Sequence, residues 1–420
     1  MADIITSFGN YINKTALDKP QSTRKLLLTA YRANALAVRL KGEKRLSPAR
    51  RLAVNHINDV VISMMAHPNK AVLTSVFMPC ELIHAAGLIP LCAELYSTYM
   101  NGTACEEVFA EAAEAEGISE SYCSYHKIML GTAFSGVMPV PKMAVNCSTV
   151  CDANNLTFKT IGEYFDIPVF YIDVPSDKSD ASLSYVTEQF RELAKLIEKT
   201  TGRKIDDDAL LLAMQRSKNT IENLKLCAEE KRTHTQRSSV TSELNEIYMS
   251  NNAVGGAAAD RYASMLADEL KRSPARQGKR LLWLQTIPIW QSPVRELLNF
   301  NDDIQIIASD MNLGSLIDID PQKPYESMAK RLLYNTFNGS GEERIKTAIE
   351  EAKFFDVDGV VCFCHWGCKQ MMGLSAMFKT ELEKEGFPTL VLNGDGCDRR
   401  NASDGQVATR LNAFCEMLDQ

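Results

Sequence analysis

The chain has 420 residues, of which 45% are hydrophobic and 24% are charged. This length predicts two domains with an appended segment, and this composition excludes wholesale disorder, collagen-like repeats and a membrane bundle. The net charge of −7 argues against a nucleic-acid-binding role. No apolar run approaches eighteen residues, and the first twenty residues lack a basic stretch followed by an apolar core. We therefore expect a cytoplasmic protein that does not span a membrane.

Residues 1–70 have helical patterns and contain a strongly basic stretch. Between Arg24 and Arg51 there are nine lysines and arginines against a single acid, Glu43. This stretch is either a solvated helical face or a docking surface for an acidic partner protein. The sequence leaves both interpretations open.

Short apolar runs alternate with helical patterns after residue 70. Strand-like runs at 71–76, 143–146 and 169–172 are accompanied by a helix at 82–88 and long helices at 185–198, 206–230 and 242–271. A second set of strands at 281–285, 304–308, 359–363 and 389–393 is interleaved with helices at 294–300, 342–355, 370–385 and 406–418. Residues 273–279 have the proline, glycine and charge of an interdomain linker. The alternation is typical of parallel sheets that are buried on both faces.

The predicted fold class is therefore α/β, with two parallel-sheet domains behind a helical N-terminal segment. The expected boundaries are residues 1–70 for the helical segment, 71–275 for the first α/β domain with long helices at its end, and 276–420 for the second.

Twelve cysteines in a chain without a secretory signal indicate metal binding or redox chemistry more than disulfide bonds. Six of them follow predicted strands or open a predicted helix, at positions where parallel sheets bind ligands: Cys80, Cys123, Cys151, Cys364, Cys368 and Cys397. Thiolates are soft ligands for iron–sulfur clusters or zinc. The spacing matches neither a ferredoxin nor a zinc ribbon, so a cluster and a mixture of core thiols with a zinc site both stay open.

The other cysteines have less distinctive positions. Cys92, Cys227 and Cys415 are expected to pack in the core as small hydrophobic residues. Cys105 and Cys362 are ambiguous, and Cys147 is a candidate seventh ligand because it lies four residues before Cys151.

Three segments of the chain resemble a known family. MPCELIHAAGLIP at 78–90, CDANNLTFK at 151–159 and IPVFYIDVP at 167–175 are similar to the benzoyl-CoA reductase and 2-hydroxyacyl-CoA dehydratase subunits. The resemblance extends from about residue 55 to the end of the chain. It implies two Rossmann-like domains and a [4Fe-4S] cluster that Cys123, Cys151 and Cys368 hold in the cleft between them.

Three further motifs are similar to the double-cubane cluster branch of that family: SYCSYHK at 121–127, CHWGCKQ at 364–370 and GDGCDRRN at 394–401. This resemblance implies an anaerobic homodimer in which all six cysteines bind an [8Fe-9S] double-cubane cluster. It also implies a separate ATP-hydrolysing [4Fe-4S] activator as the electron donor and small molecules such as acetylene, azide or hydrazine as substrates. Neither a GxxxxGK[ST] nor a complete GxGxxG motif occurs in this chain.

Protonatable residues lie beside the proposed ligands, and reduction of a small molecule needs protons. The candidates for a proton relay, or for shaping the surroundings of the cluster, are Glu81, His84, His126, His365 and Lys369. For each of them the alternative is a hydrogen bond that satisfies a nearby backbone group.

The sequence thus predicts an iron–sulfur reductase that depends on an ATP-hydrolysing partner. The alternatives are a 2-hydroxyacyl-CoA dehydratase or benzoyl-CoA reductase subunit with a single [4Fe-4S] cluster, and a non-catalytic electron-transfer protein. A fourth possibility is a structural zinc protein with Cys362, Cys364, His365 and Cys368 as ligands.

Overall fold

The computed structural model describes residues 2–149, 151–401 and 403–419. The helices of the first half are α1 (Ala2–Thr15), α2 (Pro20–Lys41), α3 (Pro48–Ala66), α4 (Glu81–Ala85), α5 (Ala93–Gly102), α6 (Glu106–Ala115), α7 (Ser124–Phe134), α8 (Asp152–Phe165), α9 (Asp180–Thr201) and α10 (Asp207–Glu230). Those of the second half are α11 (Val240–Ser250), α12 (Ala257–Leu270), α13 (Ser292–Leu298), α14 (Asp310–Leu313), α15 (Pro324–Leu333), α16 (Gly341–Phe355), α17 (Lys369–Lys384) and α18 (Asp404–Leu418). The strands are β1 (Ala71–Thr74), β2 (Ile89–Cys92), β3 (Met143–Cys147), β4 (Val169–Ile172), β5 (Lys279–Leu284), β6 (Ile304–Ser309), β7 (Gly359–His365) and β8 (Thr389–Gly394).

The strands form two four-stranded sheets, one in each half of the chain. The orders are β2-β1-β3-β4 and β6-β5-β7-β8, and every strand pair is parallel. Both sheets therefore have the same topology, with the order reversing beside the first strand of each half. The carboxyl ends of strands at such a reversal form the usual ligand crevice of an open parallel sheet. The α/β prediction with a helical N-terminal segment is confirmed.

The central strands are apolar because helices cover both faces of each sheet. Every residue of β1, β3 and β7 is buried, whereas β4, at the edge of the first sheet, leaves Tyr171 exposed. Continuous burial explains why these strands appear in the sequence as short uninterrupted apolar runs.

Parts of the basic N-terminal stretch serve the fold itself. Arg24 donates hydrogen bonds to the carbonyls of Gly136, Val137 and Met138. Arg50 is buried and lies 2.8 Å from the carboxylate of Glu243. These two arginines hold the N-terminal helices on the first domain and are not free for a docking surface. No helix in the described part of the chain is long and apolar enough to cross a membrane.

Two of the differences between the sequence prediction and the structure have identifiable reasons. The helix predicted at 242–271 is two helices, because the backbone leaves the helical conformation at Asn251, the C-cap of α11, and Gly255, with a φ of +92°, lies in the connection before α12. Strand β2 is absent from the prediction because Pro90 lies inside it. The strand tolerates proline because β2 is an edge strand of its sheet.

Candidate metal centre

Four of the proposed ligands are helix N-cap residues: Cys80 precedes the short helix α4, and the other three precede longer helices. Cys123, Cys151 and Cys368 are the N-cap residues of α7, α8 and α17, and none of their side chains makes a capping hydrogen bond. The N-terminus of a helix carries partial positive charge and favours a thiolate or an anionic cluster. Each of these sulfurs is therefore placed where negative charge is stabilised.

The structure brings these three thiols into one electrostatic group. Burial raises the pKa of Cys123 well above its ordinary value, and the charges of Cys151 and Cys368 raise it further. Burial also raises the pKa of Cys151 to about 12, with smaller contributions from Glu94 and Cys368. Such a set repels its own negative charge, so bound metal cations would relieve the repulsion.

His365, the last residue of β7, connects the loop after β8 to Cys123. Its Nδ1 accepts a hydrogen bond of 3.0 Å from the backbone N–H of Gly396, and its Nε2 lies 3.4 Å from the sulfur of Cys123. Burial lowers the pKa of His365, which favours the neutral ring. Because Nδ1 is the acceptor, the single proton of the neutral ring is on Nε2, and His365 donates to the sulfur.

Gly367 lies in the loop after β7 and allows that loop to approach the start of α7. Its φ is +81°, and a Cβ atom there would lie 2.7 Å from both N and Cα of Cys123. Those are backbone atoms that cannot rotate away. Only glycine permits this contact between the two halves of the chain.

Cys397 lies in the loop that follows β8, which Asp395 anchors. The carboxylate of Asp395 accepts hydrogen bonds from the backbone N–H groups of Cys397 at 2.8 Å and Asp398 at 2.9 Å, and from the hydroxyl of Ser124. Burial raises the pKa of Cys397 well above its ordinary value, followed by the charges of Glu106, Asp395 and Cys123. This loop therefore places a fourth thiol next to the group.

Cys364 is near Cys368, but the two do not converge with His365 as the alternative of a structural zinc site requires. Burial raises its pKa, a hydrogen bond with Ser375 lowers it, and Cys368 raises it. Cys364 and His365 are consecutive residues of β7, so their side chains leave opposite faces of the strand. In the described residues no group of three or more His, Cys, Asp or Glu could hold a single metal ion.

The donor set instead fits a polynuclear iron–sulfur group. In such a group each iron takes its own thiolate, so the sulfurs are spread over several ångströms and do not converge on one point. The thiols are soft donors, lie at helix N-termini where Cys123 is buried and Cys151 and Cys368 are half-buried, and include two that accept N–H hydrogen bonds.

Cys80 is separate from the other five candidate cysteines in its contacts. It is fully buried, its thiol donates to the carbonyl of Met78 at 3.1 Å, and it lies 3.8 Å from the amide nitrogen of Asn252. Burial, followed by the charge of Glu81, raises its pKa to about 12. Within the described residues its hydrogen bonds do not reach another candidate cysteine.

The candidate relay residues have different environments. Glu81 forms a buried ion pair with Arg331 at 2.6 Å, and His84 Nε2 lies 3.1 Å from the backbone carbonyl of Asn252. Lys369 is exposed at the first residue of α17. The contact of His84 is with a backbone group, as in the alternative to a relay role, whereas Glu81 is held by a side-chain ion pair.

His126 is the relay candidate that lies against the thiol group. Its Nε2 is 3.9 Å from the sulfur of Cys151 and 3.7 Å from a carboxylate oxygen of Glu94. Its Nδ1 is buried without a hydrogen-bond partner among the described residues. Burial, with a smaller effect of His365, lowers the pKa of His126 to about 3.

No motif or spacing in the sequence indicates that Glu94 and Gln285 belong to the site. Glu94 accepts a hydrogen bond of 3.0 Å from the thiol of Cys92, and burial raises its pKa. Gln285 follows β5 and donates from Nε2 to the sulfur of Cys368 at 3.2 Å. Glu94 follows the strand that Pro90 conceals, and the contact of Gln285 joins residues far apart in the chain.

The sequence pattern of the family "2-hydroxyglutaryl-CoA dehydratase, D-component" matches residues 75–418, which include every strand after β1 and all six candidate cysteines. The chain belongs to this family. It is 23% identical to the (R)-phenyllactyl-CoA dehydratase alpha subunit of Clostridium sporogenes, over 81% of this chain and 87% of that protein. It is also 23% identical to the (R)-2-hydroxyisocaproyl-CoA dehydratase alpha subunit of Clostridioides difficile, over 87% of this chain and 95% of the relative.

The relatives of this chain include a reductase subunit as well as dehydratase subunits. One of the subunits of the benzoyl-CoA reductase of Thauera aromatica is 23% identical over 73% of this chain and 79% of its own length. The resemblance inferred from the three sequence segments is therefore confirmed, and the family supports an enzyme.

Proposed function

We propose that this protein is an iron–sulfur reductase in which Cys80, Cys123, Cys151, Cys364, Cys368 and Cys397 bind an [8Fe-9S] double-cubane cluster. Its electrons come from a separate ATP-hydrolysing [4Fe-4S] activator, its substrates are small molecules, and it acts as a homodimer. The observation that carries the proposal is the group of three helix N-cap thiols, with Cys397 next to Cys123 and Cys364 next to Cys368. When bound, the cluster supplies low-potential electrons.

The residues of the chain prepare the site for this group. The three helix N-termini stabilise negative charge, and burial of Cys123 excludes water from its sulfur. The raised pKa values of Cys123 and Cys151 mean that their thiols are protonated at neutral pH before metal binds. Metal loading therefore releases protons and is favoured by higher pH.

We assign the proton relay to His126 in place of Glu81, His84 and Lys369. His126 lies between Cys151 and Glu94 and has a buried ring nitrogen without a partner among the described residues. The Nε2 atom of His126 faces both groups, so the ring can exchange a proton with the carboxyl of Glu94 or with the sulfur of Cys151.

The second candidate function is a 2-hydroxyacyl-CoA dehydratase subunit with a single [4Fe-4S] cluster. The names of the dehydratase relatives favour it, and so does the separate environment of Cys80, which hydrogen-bonds to Met78. In that case Cys123, Cys151 and Cys368 suffice as ligands.

Iron and acid-labile sulfide per chain after strictly anaerobic purification decide between the two candidates. About eight irons support the double cubane, about four support the single cluster, and zinc without iron contradicts both. The Cys80→Ser variant sharpens the test, because it lowers the iron content only if Cys80 is a ligand.

Matched cysteine variants test the position of the site. Cys368→Ser is expected to lower the iron content, whereas Cys227→Ser is not, because Cys227 is a buried residue of α10 whose sulfur contacts the carbonyl of Ala263. Equal iron in the two variants would contradict the assignment. Reduction of acetylene is then expected to require both ATP and the activator, and an equal rate with chemical reductant alone would refute that dependence.

A further inference from the structure

Gln285 has a backbone conformation that side chains other than glycine rarely adopt. It follows β5 at the carboxyl end of the second sheet, and its φ is +81°. A non-glycine residue in this region costs conformational free energy and persists only where surrounding contacts hold it. The strain at Gln285 therefore points to a role for the position of its side chain.

An acidic residue that follows the neighbouring strand holds the backbone of Gln285 in place. The backbone N–H of Gln285 donates to a carboxylate oxygen of Asp310 at 2.8 Å, and Arg344 donates to the other oxygen at 3.1 Å. All three residues are at least nine-tenths buried. With the backbone fixed in this way, the amide nitrogen of Gln285 lies 3.2 Å from the sulfur of Cys368.

His365 provides a second donor of the same kind. The backbone N–H of Gly396 occupies Nδ1, so the neutral ring presents its N–H at Nε2, 3.4 Å from the sulfur of Cys123. A second hydrogen bond therefore fixes each donor residue: Asp310 accepts from the backbone of Gln285, and Gly396 donates to the ring of His365. The two residues donate to different sulfurs. Gln285 is the residue after β5, and His365 is the last residue of β7.

We propose that Gln285 and His365 are positioning residues that donate N–H···S hydrogen bonds to Cys368 and Cys123 and thereby raise the reduction potential of the cluster that these sulfurs hold. The proposal rests on the proposed function to the extent that the site binds an iron–sulfur group, and it applies to one cubane or two. Reduction adds negative charge that is shared with the ligand sulfurs, and an N–H donor stabilises this extra charge. Removing a donor is therefore expected to make the cluster harder to reduce.

Variants at Gln285 give an ordered series. Gln285→Leu removes the donor, and Gln285→Glu keeps the shape but places a negatively charged acceptor at the sulfur. The ratio of reduced to oxidised cluster at a fixed solution potential is expected to fall about tenfold in the first variant, which is about 59 mV for a one-electron couple. It is expected to fall further in the second.

The measurement is an anaerobic redox titration followed by visible absorption and electron paramagnetic resonance, with iron counted in each sample. Gln305→Leu is the matched control, because it makes the same replacement at a buried glutamine of β6 and is expected to leave the potential unchanged. His365→Gln, which retains an amide donor, is expected to stay closer to the wild-type potential than His365→Leu.

The outcomes separate this inference from the proposed function. Iron-free wild-type protein would contradict the proposed function and with it this inference. Wild-type protein with iron, but with the same potential in Gln285→Leu and Gln285→Glu, would overturn the inference alone. If Gln285→Leu loses its iron, Gln285→Glu decides, and a wild-type potential in that variant overturns the inference.

Discussion

Removing one partner of the ion pair between Glu81 and Arg331 is expected to be among the most destabilising single substitutions in this protein. The Glu81 and Arg331 side chains are 0% and 1% exposed, and their charged atoms are 2.6 Å apart. The same carboxylate oxygen of Glu81 also accepts a hydrogen bond of 2.9 Å from Ser217. The pair joins α4, which begins directly after Cys80, to α15 in the second half of the chain.

Replacing Arg331 with methionine leaves the Glu81 carboxylate buried with Ser217 as its remaining partner. Breaking a fully buried ion pair from one side costs about 3–5 kcal/mol of unfolding free energy. The retained hydrogen bond of Ser217 offsets about 1–2 kcal/mol of this cost, so we expect a loss of about 3 kcal/mol. Glu81→Gln/Arg331→Met removes both charges and is expected to recover most of the loss.

Urea denaturation of the metal-free protein, followed by intrinsic fluorescence, measures these differences. Asp318→Ala is the control, because Asp318 is 89% exposed in its pair with Lys225 and should change the unfolding free energy by less than about 1 kcal/mol. A loss below about 1 kcal/mol in Arg331→Met would refute the reasoning. Glu81 would then regain its place among the candidate proton relays.

Two further predictions concern the loop after β7 and the response to acid. Gly367→Ala is expected to lower the iron content, because its Cβ would meet the backbone of Cys123, whereas Gly373→Ala in α17 has open space and is the control; equal iron in both would contradict the contact. Burial lowers the pKa of His56 to about 4. The neutral ring therefore stabilises the fold above about pH 6.5, and this contribution, at most about 3 kcal/mol, is lost as the pH falls from 6.5 towards 4. His56→Leu should flatten the pH dependence of the unfolding free energy over that interval, and an unchanged slope would refute it.

The elements that the sequence predicts well are those with a local cause. Strand β7 is fully buried, so it appears as an uninterrupted apolar run. Helices α10 and α16 begin after Asp206 and Ser340, whose side chains accept hydrogen bonds from backbone N–H groups of the first turn. Strand β2 cannot be recognised from the sequence pattern, because a proline such as Pro90 fits a strand only at the edge of a sheet, and the sequence does not show which strands are edges.

The candidate site likewise contains residues that the sequence indicates and residues that it does not. Each of Cys123, Cys151 and Cys368 directly precedes a helix, but so do Cys80, Cys92 and Cys105, so it is the family resemblance that implies this set of three. The donors to their sulfurs cannot be found in this way. Gln285 reaches Cys368 across 83 positions of the chain, and His365 reaches Cys123 across 242.

The contact between the two halves explains why the site depends on the whole fold. Cys123 and Cys151 come from the half with the first sheet, whereas Cys368 comes from the half with the second. The two halves meet at this point because Gly367 has no side chain and lies against the backbone of Cys123. Any separation of the halves would withdraw Cys368 from the other two thiols, and the N–H donor of His365 from Cys123. Metal binding at this group should therefore stabilise the contact between the two halves, because a group that binds only the folded arrangement shifts the folding equilibrium towards it.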